Sequence, residues 1–235
     1  MIDLLYPIAN LTGKRLDIFK KSILSVDTSL FRICIADAGS FPSIPLDTSN
    51  IFNYGWYPEE GLFNKSKLIN LGVKNLIRSN TFIVCDADII FIYQQENMII
   101  DAGGYFLSKP KILCDFKEDW IIEHSYGIGK CFITNQNTFK VIGGFDENYI
   151  GYGYEDIDFA ASYYLLKKKP YSFINTLTMH LDYQQENSTD MYKENNDRNK
   201  YYFDMKFKNY KPFLETIYSG IRNRKNDTNS WAMRP

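Results

Sequence analysis

The stretch Thr81-Phe82-Ile83-Val84-Cys85-Asp86-Ala87-Asp88-Ile89-Ile90-Phe91 is an apolar run that stops on two acids and then resumes. The first run, Thr81 to Cys85, reads as a buried strand. Two carboxylates lodged between buried runs are unfavourable unless something cationic neutralises them. Oxygen ligands suit a hard divalent cation such as Mg²⁺ or Mn²⁺. A cation held by only one or two carboxylates completes its shell with water and substrate phosphate oxygens. A diphosphate is the natural partner of such a D-x-D.

Working outward toward the N-terminus, Asp3 to Ile8 reads as a strand. Thr12 to Val26 reads as a helix, because Leu16, Phe19, Ile23 and Val26 recur at spacings of three and four. Arg32 to Ala36 is a second buried strand, closed by the turn-like Asp37-Ala38-Gly39-Ser40. After a polar, proline-containing stretch, Asn64 to Leu76 carries Leu68, Leu71 and Leu76 between lysines and feeds the strand at Thr81. Alternating strands and helices predict an α/β sheet whose ligands gather beyond the carboxyl ends of its strands, where Asp37 and Asp86 both stand.

Composition narrows the function classes. The chain has 235 residues, 45% hydrophobic and 16% aromatic, enough for one sizeable core. A formal net charge of −1 gives no global pull toward nucleic acid. Cys34, Cys85, Cys114 and Cys131 show no C-x-x-C spacing, so neither a disulfide framework nor a zinc cluster is expected. The first residues lack the features of a signal peptide, and no window approaches a membrane span. A soluble, cytoplasmic protein is expected.

Toward the C-terminus, glycines at 127, 129, 143, 144, 151 and 153 mark tight turns ahead of a helix from about Asp156 to Lys168. The segment Gly151-Tyr152-Gly153-Tyr154-Glu155-Asp156-Ile157-Asp158 combines sharp turns, flat aromatic faces suited to sugar rings, and carboxylates at a helix start. Such a carboxylate can take a proton from an attacking hydroxyl. The same acids also have a plainer use, offsetting the helix macrodipole. His180 follows an apolar strand from Tyr171 to Leu177 and is placed to offer nitrogen to a Mn²⁺-like ion, whereas His124 has no such setting.

The series Phe63-Asn64-Lys65-Ser66-Lys67-Leu68-Ile69-Asn70-Leu71-Gly72, then Asp86-Ala87-Asp88, then Gly143-Gly144-Phe145-Asp146 and Gly151 to Asp158 resembles the β-1,4-galactosyltransferase family, glycosyltransferase family 7, with its bacterial chondroitin-polymerase relatives. The resemblance covers roughly residues 3 to 182. It implies a GT-A fold, a Rossmann-like mixed sheet flanked by helices, and a single catalytic domain over 1–205. The nucleotide-binding half would span about 1–95 and the acceptor half about 96–205. It further implies that Asp88 and His180 ligate Mn²⁺ (or Mg²⁺), with Asp86 supporting the ribose or the metal shell. Pro7, Asp37, Asn64 and Lys65 match nucleoside-holding positions. Asp156 would be the catalytic base and Glu155 would bind donor or acceptor sugar, with Tyr152, Tyr154 and Asp158 completing the substrate side. Ile150 and Tyr152 stand where family members often carry Trp, and Tyr154 where they carry glycine, so the acceptor pocket is expected to be reshaped.

The expected activity is metal-dependent, inverting transfer of a hexose or N-acetylhexosamine from a UDP-sugar to a glycan or lipid-linked glycan in surface polysaccharide synthesis. Two other readings compete. A Mg²⁺-dependent phosphohydrolase would use Asp86 as nucleophile, but haloacid-dehalogenase-type enzymes normally carry Thr or Val where this chain has Ile90. A non-catalytic sugar-binding module has no need of a metal site opposite a base. Finally, residues 206–235 hold Lys206, Lys208, Lys211, Arg222, Arg224, Lys225 and Arg234 against Glu215 and Asp227. Phe207, Tyr210, Phe213, Leu214, Ile217, Tyr218 and Ile221 recur between these charges at helical spacings, predicting an amphipathic segment with weak, salt-sensitive membrane contact.

Overall fold

The computed structural model describes residues 1–39, 51–93, 106–110, 121–122, 131–167, 172–182 and 189–210. The chain opens β1 (Ile2–Ile8), α1 (Gly13–Leu24), β2 (Phe31–Asp37), β3 (Ile51–Trp56), α2 (Lys65–Asn75), β4 (Thr81–Cys85) and β5 (Ile89–Tyr93). It continues β6 (Phe106–Pro110), β7 (Ile121–Ile122), β8 (Cys131–Asn135), α3 (Gln136–Ile142), α4 (Glu155–Lys167), β9 (Ser172–Asp182) and α5 (Thr189–Lys206). The strands join in the order β3-β2-β1-β4-β8-β6-β9-β5, with β7 on β9. The first four are mutually parallel, and β4 meets β8 antiparallel. This is the mixed α/β sheet that the sequence predicts.

Residue alternation along β1 explains the two layers. Leu4, Tyr6 and Ile8 face α1 and pack with Phe19, Ile23, Ile33 and Ile35. Leu5 faces the other way, onto Leu68 and Ile69 of α2, with Cys34, Ala36, Phe82 and Val84. Each fully buried Leu, Ile or Phe contributes about 1.5–3 kcal/mol relative to exposure. Contact between α2 and the sheet is close enough that a Cβ on Gly72 would lie 2.9 Å from the Leu5 side chain. Phe145 stacks on Phe159 with centroids 4.5 Å apart and ring planes 7° from parallel, which ties the turn before α4 to the sheet layer.

Because β2 and β4 flank β1 on opposite sides, the strand order reverses at β1, and crevices form there beyond the carboxyl ends. Asp37 ends β2, and Asp86 follows β4 directly.

Four differences from the sequence reading stand out. The polar, proline-containing stretch after Ser40 contains β3, an edge strand whose residues alternate between half-buried and exposed. The glycine-marked region ahead of the Asp156 helix, read from sequence only as tight turns, contains β8 and α3. Between His180 and residue 206, where no element is read from the sequence, stands the 18-residue α5. Phe207, read from sequence as part of the amphipathic segment, is buried against Phe203 in a small core with Tyr149 and Ala161. Phe207 and the ion-paired Lys206 thus belong to the folded body rather than to a free amphipathic segment. Residues 211–235, His124 and Cys114 lie outside the described residues; Cys34, Cys85 and Cys131 are buried free thiols. Among the described residues, no helix is long and apolar enough to cross a membrane.

Candidate active site

Asn64 sets where α2 begins. Its Oδ1 accepts from the Lys67 amide at 2.9 Å, an N-cap, while its Nδ2 donates to the Glu147 carbonyl at 2.8 Å. The cap aims Lys65, the first helical residue, across the end of β4. Its Nζ lies 2.9 Å from Asp86 Oδ1, 3.4 Å from Glu155 Oε1 and 3.4 Å from Asp156 Oδ2. One ammonium therefore gathers three carboxylates from two segments about 70 positions apart in the chain. The acids of α4 reach it because the 151–154 loop is drawn in, with the Gly151 amide donating to the Phe63 carbonyl at 2.9 Å.

The cluster is poorly solvated: Lys65, Glu155 and Asp156 side chains are 15%, 10% and 16% exposed. Burial opposes the Lys65 charge, but Asp156, Asp86 and Glu155 outweigh it and hold the ammonium well above the ordinary lysine range. Burial pushes Asp156 well above the usual carboxylate range; Lys65 pulls it back, and Glu155 and Asp86 push it further up. Asp86 is raised by burial and by Asp88, against Lys65. Asp156 Oδ1 is buried without a hydrogen-bond partner, an unfavourable state that a ligand hydroxyl or a cation would relieve.

The D-x-D turn links β4 to β5, and β5 runs antiparallel to β9 with Ile89 opposite His180. Asp88 and His180 are thereby brought to neighbouring strands at the backbone level. Among the described residues, no three His, Cys, Asp or Glu already stand together as a metal cage. The surplus of carboxylate over ammonium and the orphaned Asp156 oxygen nevertheless fit a hard cation that takes few protein ligands and completes its shell with phosphate oxygens.

Several other expected site residues have protein partners of their own. Asp158 lies two positions beyond Asp156, about 200° around the helix, so it faces away from Lys65. It accepts from Tyr149 Oη at 2.8 Å and pairs with Lys206 at 2.7 Å, where its side chain is 4% exposed. Tyr154 turns its ring onto Phe203, at 5.5 Å between centroids, rather than toward the cluster. Asn64 spends both ends of its amide on the cap and the Glu147 clamp. Asp37 is fully buried, and its carboxylate accepts from the Gly39 amide and the Tyr54 hydroxyl, each at 2.8 Å. Pro7 is buried inside β1, opposite Ala36. Tyr152, in contrast, is 58% exposed and lies within electrostatic reach of Glu155, Lys65, Asp86 and Asp156.

Helix α5 supplies residues that the sequence reading missed. Asn199 Nδ2 donates to the carbonyls of Ile150, Tyr152 and Gly153 at 3.2, 3.1 and 3.0 Å. Lys206 bridges Asp146 and Asp158. A signal was present: Asn195, Asn199, Phe203 and Phe207 recur every four residues and form the buried stripe of α5.

Comparisons with known proteins agree with this architecture. A structure of GalNAc-T7 with UDP, GalNAc and Mn²⁺ superposes with a TM-score of 0.58 at 11% identity, over 81% of this chain and 45% of that one. A mutant Drosophila β-1,4-galactosyltransferase 7, in complex with manganese, UDP-Gal and xylobiose, superposes with a TM-score of 0.50 at 12% identity, over 83% of this chain and 79% of that one. Both likenesses are of fold, and they give the chain a GT-A fold. No curated protein matches the sequence. Residues 66–191 match the family described as glycosyltransferase like family 2, so the family shown is this one, with the β-1,4-galactosyltransferase likeness persisting in the fold. With more than half of its length matched, from α2 through the D-x-D turn and the start of α4 into α5, the chain belongs to glycosyltransferase-like family 2.

Proposed function

We propose that the chain transfers a sugar, a hexose or N-acetylhexosamine, from a UDP-sugar to a hydroxyl of a glycan acceptor, with inversion at the anomeric carbon. The observation that carries this reading is the convergence on Lys65 of Asp86, from the D-x-D, with Glu155 and Asp156, from the glycine-aromatic-acid segment. A donor-side group and an acceptor-side group thus face one another across a few ångströms, as two-substrate transfer requires.

Asp156 takes the proton of the attacking hydroxyl, and its buried, unpartnered Oδ1 is the oxygen available for it. Burial raises its affinity for a proton, which strengthens it as an acceptor. As the acceptor oxygen bonds to the anomeric carbon, the bond to the UDP oxygen breaks. Lys65 is placed to meet the diphosphate that departs with the charge. Glu155 orients the sugar, and the exposed ring of Tyr152 offers a face for stacking. Asp88, His180 and Asp86 are the residues that would hold Mn²⁺ or Mg²⁺, which when bound neutralises the diphosphate charge. Residues 1–205 form the single catalytic domain in this reading.

The test is UDP release from a panel of UDP-sugars with Mn²⁺, with and without oligosaccharide acceptors. Acceptor-dependent release is the expected result. Phosphate release from simple esters without a sugar acceptor would instead indicate a phosphohydrolase, and sugar binding without any turnover a non-catalytic module.

A further inference from the structure

The loop that delivers Glu155 and Asp156 is strained. Gly151 and Gly153 have φ of +79° and +95°, and Tyr154, which is not glycine, has φ of +73°. A left-handed Tyr is unfavourable and persists only where its surroundings over-determine it. Those surroundings are α5. A Cβ on Gly151 would lie 2.8 Å from the Asn195 amide, and one on Gly153 would lie 2.6 Å from Asn196 Oδ1, so the loop backbone lies directly against the helix. Arg198 donates to the Ile150 carbonyl, and the Tyr154 ring rests on Phe203.

Asn199 is at the centre of this contact. Its side chain is nearly fully buried, at 2% exposure, and its one NH₂ group is shared among three loop carbonyls, those of Ile150, Tyr152 and Gly153. We propose that Asn199 is a positioning residue: it touches no substrate, but by fixing the 150–154 backbone it sets where Tyr152, Glu155 and Asp156 stand against the acceptor. The inference rests on the transferase reading above. Displacing catalytic groups by about 1 Å can lower a rate on the order of a hundredfold, whereas the donor-side residues on β4 and α2 do not depend on this loop for their place in the fold.

The experiment compares Asn199→Ala, the milder Asn199→Ser, which keeps one donor, and Asn199→Gln, which keeps the NH₂ on a longer arm. Lys206→Met serves as a control that loosens α5 away from the loop carbonyls. Three quantities are measured below each variant's melting temperature: hydrogen exchange of amides 151–156, UDP affinity, and the ratio of sugar transfer to donor hydrolysis by water. In Asn199→Ala the loop amides should exchange about tenfold faster or more, while β1 and β4 stay protected. UDP affinity should stay within about twofold of wild type, and the transfer-to-hydrolysis ratio should fall by roughly ten- to a hundredfold. Asn199→Gln should recover part of the ratio, and Lys206→Met should leave it unchanged. Unaltered loop exchange overturns the assignment, as does transfer and hydrolysis falling in one proportion across all four variants. Absence of acceptor-dependent UDP release in the wild type would remove the transferase reading instead, and loop exchange would still decide the clamp.

Discussion

Replacing Lys206 with methionine takes a cation from between two carboxylates while keeping most of the side-chain volume. Lys206 Nζ stands 2.6 Å from Asp146 and 2.7 Å from Asp158, whose side chain is only 4% exposed. Removing one partner of a buried ion pair costs about 3–5 kcal/mol. Here the lysine side chain is 32% exposed, and Tyr149 still donates to Asp158 at 2.8 Å. The loss should therefore be smaller, about 2–3 kcal/mol, or roughly 5–10 °C in melting temperature for a chain of this size. The pH dependence has a definite sign. Burial raises Asp158, and Lys206 and Tyr149 pull it back, so without Lys206 it rises further. A carboxyl raised in the folded state takes up its proton more tightly there, so its stabilisation is present at low pH and lost as pH rises through the folded pKa. Asp146 is also raised by burial, but Lys206 and the Asn148 amide outweigh this and hold it below the usual range. Its contribution is present above the unfolded pKa and lost on acidification, and the variant forfeits most of it. The Asp158 effect makes the penalty largest near pH 8 and smaller near pH 5, whereas the Asp146 effect is the same at both and fades only below the ordinary carboxylate range. Thermal melts of wild type, Lys206→Met and the Lys206→Met, Asp158→Asn double variant at both pH values measure it, with partial recovery expected in the double variant. A drop of less than about 1 °C, or a gap that widens on acidification, would refute the reasoning.

Lys65→Met should destabilise the protein by about 2–4 kcal/mol by leaving three carboxylates without their shared cation, and Mn²⁺ should restore more stability to this variant than to wild type, as read by melting with and without the ion. If Asp88 and His180 share a cation, Asp88→Ala should show no transfer at any practical Mn²⁺ concentration, whereas His180→Ala should be partly rescued by excess ion; full activity in EDTA would remove the assignment. Gly153→Ala should lower stability by roughly 1–3 kcal/mol, because φ is +95° and the new methyl would meet Asn196 at 2.6 Å, so an unchanged denaturation midpoint would show that the loop can retreat from α5.

The parts of the fold legible in the sequence are those where burial is continuous or strictly periodic. β1, β2 and β4 are apolar runs covered on both faces, and α1 and α2 repeat apolar residues every three or four positions. β3 escaped because it is an edge strand in which Asn53 and Gly55 interrupt the apolar pattern. Helix α5 escaped because half of its buried stripe is amide: Asn199 is buried to satisfy loop carbonyls, and Asn195 is buried against Gly151. The helix period alone separates Asp158 from Asp156, so its different role was readable once the helix start was fixed. The salt bridges of Lys65 to Glu155 and Asp156 were not, because they join positions 90 and 91 apart, and only the assembled sheet brings them together.

The central claim is that the Lys65 cluster is where a sugar changes partners, with Asp156 as base. It is tested most directly by following the anomeric proton of donor and product by NMR, during turnover of wild type and Asp156→Asn with an acceptor identified from the UDP-release panel. The account predicts a product of inverted configuration from the wild type. From Asp156→Asn it predicts a rate at least about a hundredfold lower with UDP affinity preserved, because an amide cannot accept the proton. A retained configuration, or product from Asp156→Asn at the wild-type rate, would contradict it.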